Sequence, residues 1–439
     1  MQRDIKQKLI RWKDKKHRKP LLITGVRQCG KTYVMEEFAE ECFDRVVKIN
    51  FEKNHSYGEV FEQDLEPERI FRELGFLTSG KPIDPEQTLV IFDEIQACPK
   101  AITALKYFAE YEKDTFILCA GSLLGVEIKR KGISFPVGKI ERIRMFPMSF
   151  YEFVRAAGGE RFLTMLSSYG PYQEIPLYVT EPMLRYLKLY YIIGGMPAVV
   201  QKWIETENFD TVDEQQEMIL RDYKDDFSNH ADPKDILKIA WVWDSLPKQL
   251  AKENNKFVFS HVKEGGRSRD LEDALNWLVD AGLAYTLEKV DHAEIPLSAC
   301  SDAASFKVYM ADTGLLRKKA GISYKTILTE PDPYTAFKGA MAENYCMQEL
   351  TVQGIAPYYW HSGNTSEIDF LFESDSRIIP LETKSADNTK AKSLANYLKK
   401  YEPAIAFRVS TKNLGDNQKG KTHEISLPLY LLWRLKAYL

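Results

Sequence analysis

Apolar positions in the first 150 residues come in short blocks, not long runs. Residues 21–25 (LLITG), 46–51 (VVKINF), 88–94 (TLVIFDE) and 116–119 (FILC) are rich in β-branched and apolar side chains, which predicts strands buried on both faces. Helical stretches at 33–42 and 101–111 lie between them, and that alternation implies βα units in a parallel, doubly wound sheet. Ahead of the first strand, Ile5, Leu9 and Trp12 fall at i, i+4 and i+7 and predict an amphipathic helix. Residues 154–230 read as helices rich in Leu, Tyr and Met, broken at Gly158-Gly159, Gly170-Pro171 and Gly194-Gly195.

From 233 the pattern changes. Residues 235–250 are apolar at helical spacing, a second helix opens near Ser268 or Asp270 and runs to Gly282, and 284–290 predicts a strand. Helical stretches followed by a strand signal are the order of a winged helix. Further on, 303–312 reads as a strand and 338–353 as a helix. Residues 367–372 and 378–384 predict two strands joined by a polar turn at 373–377, then a helix at 392–401 and a strand at 404–410.

The chain has 439 residues, and at roughly 150 residues per domain that suggests about three domains. Its formal charge of −3 gives no global basic field, so any nucleic-acid contact must be local. The first nineteen residues carry nine Lys and Arg. That basic face is either solvated on a helix packed against the first domain or a contact for nucleic acid or membrane. Six cysteines with no C-x-x-C pair argue against a zinc site or disulfide framework and for a reducing, cytoplasmic setting. No apolar run of about 18 residues predicts a transmembrane helix.

Candidate chemistry begins where the first strand ends. Gly25, four residues, then Gly30-Lys31-Thr32 complete the G-x-x-x-x-G-K-[ST] pattern, behind a strand and ahead of a helix. In such a loop the backbone N–H groups of Gly25, Val26, Arg27, Gln28, Cys29, Gly30, Lys31, Thr32 and Tyr33 surround the phosphates of ATP. Lys31 reaches the β- and γ-phosphates, and the Thr32 hydroxyl ligates Mg²⁺. Asp93 at the end of 88–94 would hold the same Mg²⁺, and Glu94 would orient or deprotonate the attacking water. Ser122, after the fourth strand, is a candidate γ-phosphate sensor or a plain turn residue. Strand carboxyl ends are where doubly wound sheets bind ligands, so the three positions converge. Cys29 either presents a reactive thiol to the same N–H groups or is a small residue that fits the loop.

These residues resemble a known family, the prokaryotic AAA-class ATPases that join a P-loop domain to a C-terminal domain of unknown function. The marks are GVRQCGKT at 25–32, FDEIQ at 92–96, AGSLLG at 120–125 and MFPMSFYEF at 145–153. The last is similar to the family's proline-serine-phenylalanine segment, and YYIIGGMPAVV at 190–200 to its glycine-glycine-x-proline connection. A Gly-Arg pair usually precedes the former segment. Here Gly138 is followed by Lys139, with Arg142 and Arg144 beyond, so the arginine finger is left open.

A second constellation lies near the C-terminus. Alternation puts Glu382 and Lys384 on one face of their strand and lets Asp369 join them if the register allows. Two carboxylates and a lysine are what metal-assisted phosphodiester cleavage uses. With Glu343 as a helix acid, the set is similar to the PD-(D/E)XK nuclease pattern, and Lys390, Lys392, Lys399 and Lys400 follow it. The family resemblance implies a restriction-nuclease-like fold for this C-terminal domain.

The expected fold is therefore α/β, in four parts. A P-loop parallel-sheet ATPase domain occupies 1–155, a helical linker or lid 156–230, a winged-helix-like domain 231–300, and a nuclease-like domain 301–439. Lys263, Arg267 and Arg269 before the middle helix suit phosphate contacts, while Glu272, Asp273 and Asp280 on it repel them. Expected catalytic residues are Lys31 and Glu94 at one site and Glu382 and Lys384 at the other. Expected metal ligands are Thr32 and Asp93, and Asp369, Glu382 and Glu343. Two functions compete: an ATPase whose nuclease-like domain acts on DNA or RNA, and an ATP-gated switch that binds a protein partner or another copy and cuts nothing.

Overall fold

The blocks expected as buried strands form one all-parallel sheet in the order β2-β3-β4-β1-β5. They are β1 (Leu21–Gly25), β2 (Val46–Asn50), β3 (Leu89–Asp93), β4 (Phe116–Gly121) and β5 (Glu141–Met145). Every residue of β3 is buried, because β2 and β4 flank it and helices cover its faces. Phe51, Phe61, Phe92 and Phe108 pack against one another beside it. The N-terminal helix α1 (Ile5–Lys13) buries Ile5, Leu9 and Trp12, as its spacing requires. Lys6 pairs with Glu37 and Glu41 of helix α2 (Lys31–Cys42), which docks α1 on this sheet's unit.

The computed structural model describes residues 1–111, 114–131, 135–170, 172–252, 256–329, 335–362, 366–384 and 392–439. Pro171 and Lys390 lie outside the described residues. The chain forms two compact units. The first comprises 1–146, 226–233 and 280–282; the second comprises 147–225, 234–279 and 283–439.

The second unit holds a mixed sheet of eight strands, in the order β12-β13-β11-β10-β9-β8-β6-β7. They are β6 (Ala284–Val290), β7 (Ser301–Met310), β8 (Tyr358–His361), β9 (Glu367–Ser374), β10 (Arg377–Thr383), β11 (Ile405–Ser410), β12 (Gly415–Lys419) and β13 (Thr422–Pro428). The strand expected at 284–290 pairs with β7 and also with β8, so this sheet runs across the boundary expected at 300/301. Backbone hydrogen bonding joined what the helix-then-strand reading had parted. The turn between β9 and β10 is Asp375-Ser376, with φ of 46° and 58°, and the strands extend into the five-residue turn that polarity suggested. Both φ values fit a two-residue hairpin turn that matches strand twist. β10 then crosses to the parallel β11 through the helix Lys392–Tyr401. That helix buries Leu394, Tyr397 and Leu398 under Trp360 and Ile368.

Candidate active site

The loop after β1 bends where bulk is excluded. A Cβ on Gly25 would lie 2.2 Å from the Met145 carbonyl oxygen, so β5 forces glycine there. Gly30 caps α2 at φ 91°, a left-handed value that glycine reaches without strain. Behind the loop, the buried Arg3 guanidinium donates to the Cys29 and Phe146 carbonyls at 2.8 and 2.7 Å. Cys29 is fully buried with Sγ 3.9 Å from the Met145 carbonyl oxygen, which suits a packing role better than an exposed thiol. Lys31 bonds the Gly25 and Val26 carbonyls, both at 3.0 Å. Arg27 pairs with Asp226, on the last turns of the helix Phe209–His230, and Tyr33 is exposed.

The strand ends bring the expected groups together. The Thr32 hydroxyl is 3.3 Å from Asp93 Oδ2, which also accepts from Asn50 Nδ2 at 3.3 Å. Burial and the charge of Glu94 raise the Asp93 carboxyl above its ordinary value, against Lys48 and these hydrogen bonds. A divalent cation would relieve that cost, and hard oxygens at Thr32 and Asp93 are the donor set Mg²⁺ takes. Glu94 accepts from Gln96 Nε2 at 2.7 Å and from the Ser122 backbone N–H at 3.3 Å. The Ser122 hydroxyl lies 3.5 Å from Glu94 Oε1, so this serine touches the acid expected to activate water. Arg142 and Arg144 stack on Phe135 and Phe146.

In the second unit, continuing the β9–β10 register places Asp369 opposite Glu382. Asp369 Oδ2 accepts from the Thr383 N–H at 2.7 Å, and Lys384 Nζ is 2.6 Å from Glu382 Oε1. Among the described residues the other Glu382 oxygen is buried without a hydrogen-bond partner. Glu343 is held differently: Tyr309 donates to it at 3.1 Å, and the buried Lys307 lies 3.7 Å away while also pairing with Glu367. Among the described residues, no three His, Cys, Asp or Glu side chains are grouped to hold a metal ion. Burial, Glu382 and Glu343 hold the Asp369 carboxyl well above the usual range. Burial also raises Glu382, against the pull of Lys384.

Asn50, Gln96, Lys307, Tyr309 and Glu367 escaped the sequence reading. Asn50 ends a strand, so the strand-end rule alone would have found it. Lys307 is 36 residues from Glu343 and 60 from Glu367, and no local pattern links them.

Residues 17–154 match the family described as AAA domain. With the loop and strand-end geometry, this defines the first unit as an AAA-class P-loop ATPase domain that binds nucleotide. Residues 184–326 and 338–430 match two domains of unknown function (DUF8612 and DUF4143). No curated protein matches the chain. Similar solved structures include a Walker-type ATPase of Pyrococcus abyssi, at 14% identity and TM-score 0.42, over 72% of this chain and 94% of that one. The ORC2 protein of Aeropyrum pernix, in ADPNP-ADP complexes, is similar at 11% identity and TM-score 0.37, over 71% and 88%. The ORC1 protein of the same organism, in complex with DNA, follows at 13% and 0.27, over 74% and 93%. Among the described residues no helix is long and apolar enough to cross a membrane.

Proposed function

We propose that this protein hydrolyses ATP at Lys31, Thr32, Asp93 and Glu94 and uses the nucleotide cycle to control a nuclease-like second unit that acts on or binds nucleic acid. The observation that carries the first half is the meeting of the Thr32 hydroxyl, Asp93 and Glu94 at adjoining strand ends beside the glycine loop. Lys31 would leave its carbonyl partners for the phosphates, because its ammonium is held more strongly by an anionic oxygen than by a neutral carbonyl. Mg²⁺ held by Thr32 and Asp93 would neutralise developing phosphate charge. Glu94, fixed by Gln96 and Ser122, would take the proton of the attacking water. Ser122, in contact with this acid, would report the γ-phosphate.

For the second unit, supporting features are the facing Asp369 and Glu382, the Lys384 contact and the unpartnered Glu382 oxygen. Two carboxylates and a lysine fit a metal-assisted phosphodiester step in which Asp369 and Glu382 hold the ion and Lys384 steadies the water. The exposed Arg267, just ahead of the helix Ser268–Asp280 of a winged-helix-like region, and Arg269 in its first turn would touch the duplex backbone. A second reading, an ATP-gated switch that binds a partner or another copy without cutting, is favoured by Lys307, which already neutralises Glu343 and Glu367. The full chain, with ATP and Mg²⁺ or Mn²⁺, separates them on linear, circular and single-stranded substrates. Cleavage that disappears in Glu382→Ala and Lys384→Ala supports the nuclease reading; intact substrates leave the switch.

A further inference from the structure

We propose that Gln96 is the positioning residue that holds Glu94 for ATP hydrolysis, an assignment resting on the reading of Glu94 as the group that activates water. Glu94 follows β3 with φ 49°, a left-handed value that an ordinary residue keeps only when its surroundings impose it. Among the described residues its carboxylate has three hydrogen-bond donors, and the shortest bond is the 2.7 Å one from Gln96 Nε2. Gln96 sits in the 3-10 turn Ile95–Ala97, which the Ala97 N–H closes onto the Glu94 carbonyl at 3.0 Å. Donor and acceptor therefore belong to one rigid turn.

The seat of the Gln96 side chain is equally constrained. The residue is 4% exposed, and a Cβ on Gly121 would stand 2.6 Å from Gln96 Oε1. The missing side chain at Gly121 is thus the space the amide occupies. Its orientation is fixed by charge, since the opposite one would set a carbonyl oxygen against the Glu94 carboxylate. Among the described residues Gln96 Oε1 is buried with no hydrogen-bond partner. Folding gains nothing from a buried polar atom left unpartnered, so stability does not account for glutamine here. An apolar residue of the same size would pack at least as well. What the amide supplies is a donor that keeps Glu94 in one rotamer, pointed where an in-line water must lose its proton.

The test compares three variants of the full chain in steady-state phosphate release with ATP and Mg²⁺, alongside equilibrium binding of a fluorescent ATP analogue. Gln96→Met keeps the volume and removes the N–H. We expect kcat to fall about 10- to 100-fold with KM and analogue affinity unchanged. Gly121→Ala, which pushes the amide off its seat, should reproduce that loss. Gln96→Glu removes the donor and sets a like charge beside Glu94, so its kcat should fall at least as far as that of Gln96→Met while analogue affinity is kept, a split that packing alone would not produce. Wild-type kcat in both Gln96→Met and Gly121→Ala overturns the assignment, as does a change confined to KM. Glu94→Gln is the control: if it hydrolyses ATP normally, the role of Glu94 fails, and that outcome is distinct from a failure at Gln96 alone.

Discussion

The nucleotide site and the acidic cluster both gather carboxylates at strand ends, and they differ in what answers the charge. Asp93 and Glu94 are met by neutral donors: the Thr32 hydroxyl, the Asn50 and Gln96 amides, and the Ser122 N–H. The lysine of that site, Lys31, bonds only carbonyls among the described residues, which suits its charge to a ligand. In the second unit, ammonium groups sit directly on the acids: Lys307 on Glu343 and Glu367, and Lys384 on Glu382. One site is built to receive charge from outside, while the other has satisfied much of its own. On the proposed function, Lys31 in the first serves the ligand and is nearly neutral for folding, and Lys307 in the second serves the fold.

The sharpest break of this comparison is Lys307→Met. Removing one partner of a buried ion pair leaves the others uncompensated, and we expect a loss of about 3–5 kcal/mol in denaturant unfolding of the second unit. Lys31→Met should barely move unfolding, by about 1 kcal/mol or less, because only bonds to carbonyls are lost. Its kcat/KM for ATP should drop about 10²- to 10³-fold, the usual cost of removing a group that stabilises transition-state charge. If Lys31→Met unfolds the protein and Lys307→Met does not, the contrast is reversed and the assignment of roles falls.

The smallest effect concerns Asp369. Its folded-state pKa is raised, so the folded chain binds this proton more tightly than the unfolded chain does. The group therefore costs stability at neutral pH, and the cost vanishes as pH falls through the folded pKa into the ordinary carboxylate range. Asp369→Asn should stabilise the chain at pH 7 by about 1 kcal/mol, as changes at functional carboxylates often do. It keeps an oxygen for the Thr383 N–H, and it should flatten the gain in thermal stability on acidification. An unchanged pH profile would show that burial does not perturb this carboxylate.

How much of this was legible differs between the two regions for the same reason. The glycine loop, Asp93 and Glu94 are read from contiguous residues, because a phosphate is bound by backbone N–H groups and by side chains at the next strand ends. Asp369, Glu382 and Lys384 were legible as residues, but their meeting depended on register, which alternation cannot supply. Lys307 was not legible at all. The β7 strand that carries it reads in the sequence only as an isolated strand, and pairing with β6, itself paired with β8, brought it into this sheet. Gln96 lies within the FDEIQ stretch, yet the seat of its amide depends on the absent side chain at Gly121 of another strand.

The sequence by itself determined the elements of the parallel sheet, the phosphate loop and the acids beside it, since hydrophobic period and short-range backbone geometry are local properties. Tertiary structure decided which charges neutralise one another, how the second sheet is assembled, and which way the amide of Gln96 faces. Those depend on contacts across many tens of residues, where the energy of a buried charge or an unpartnered oxygen is set by whatever the fold brings beside it.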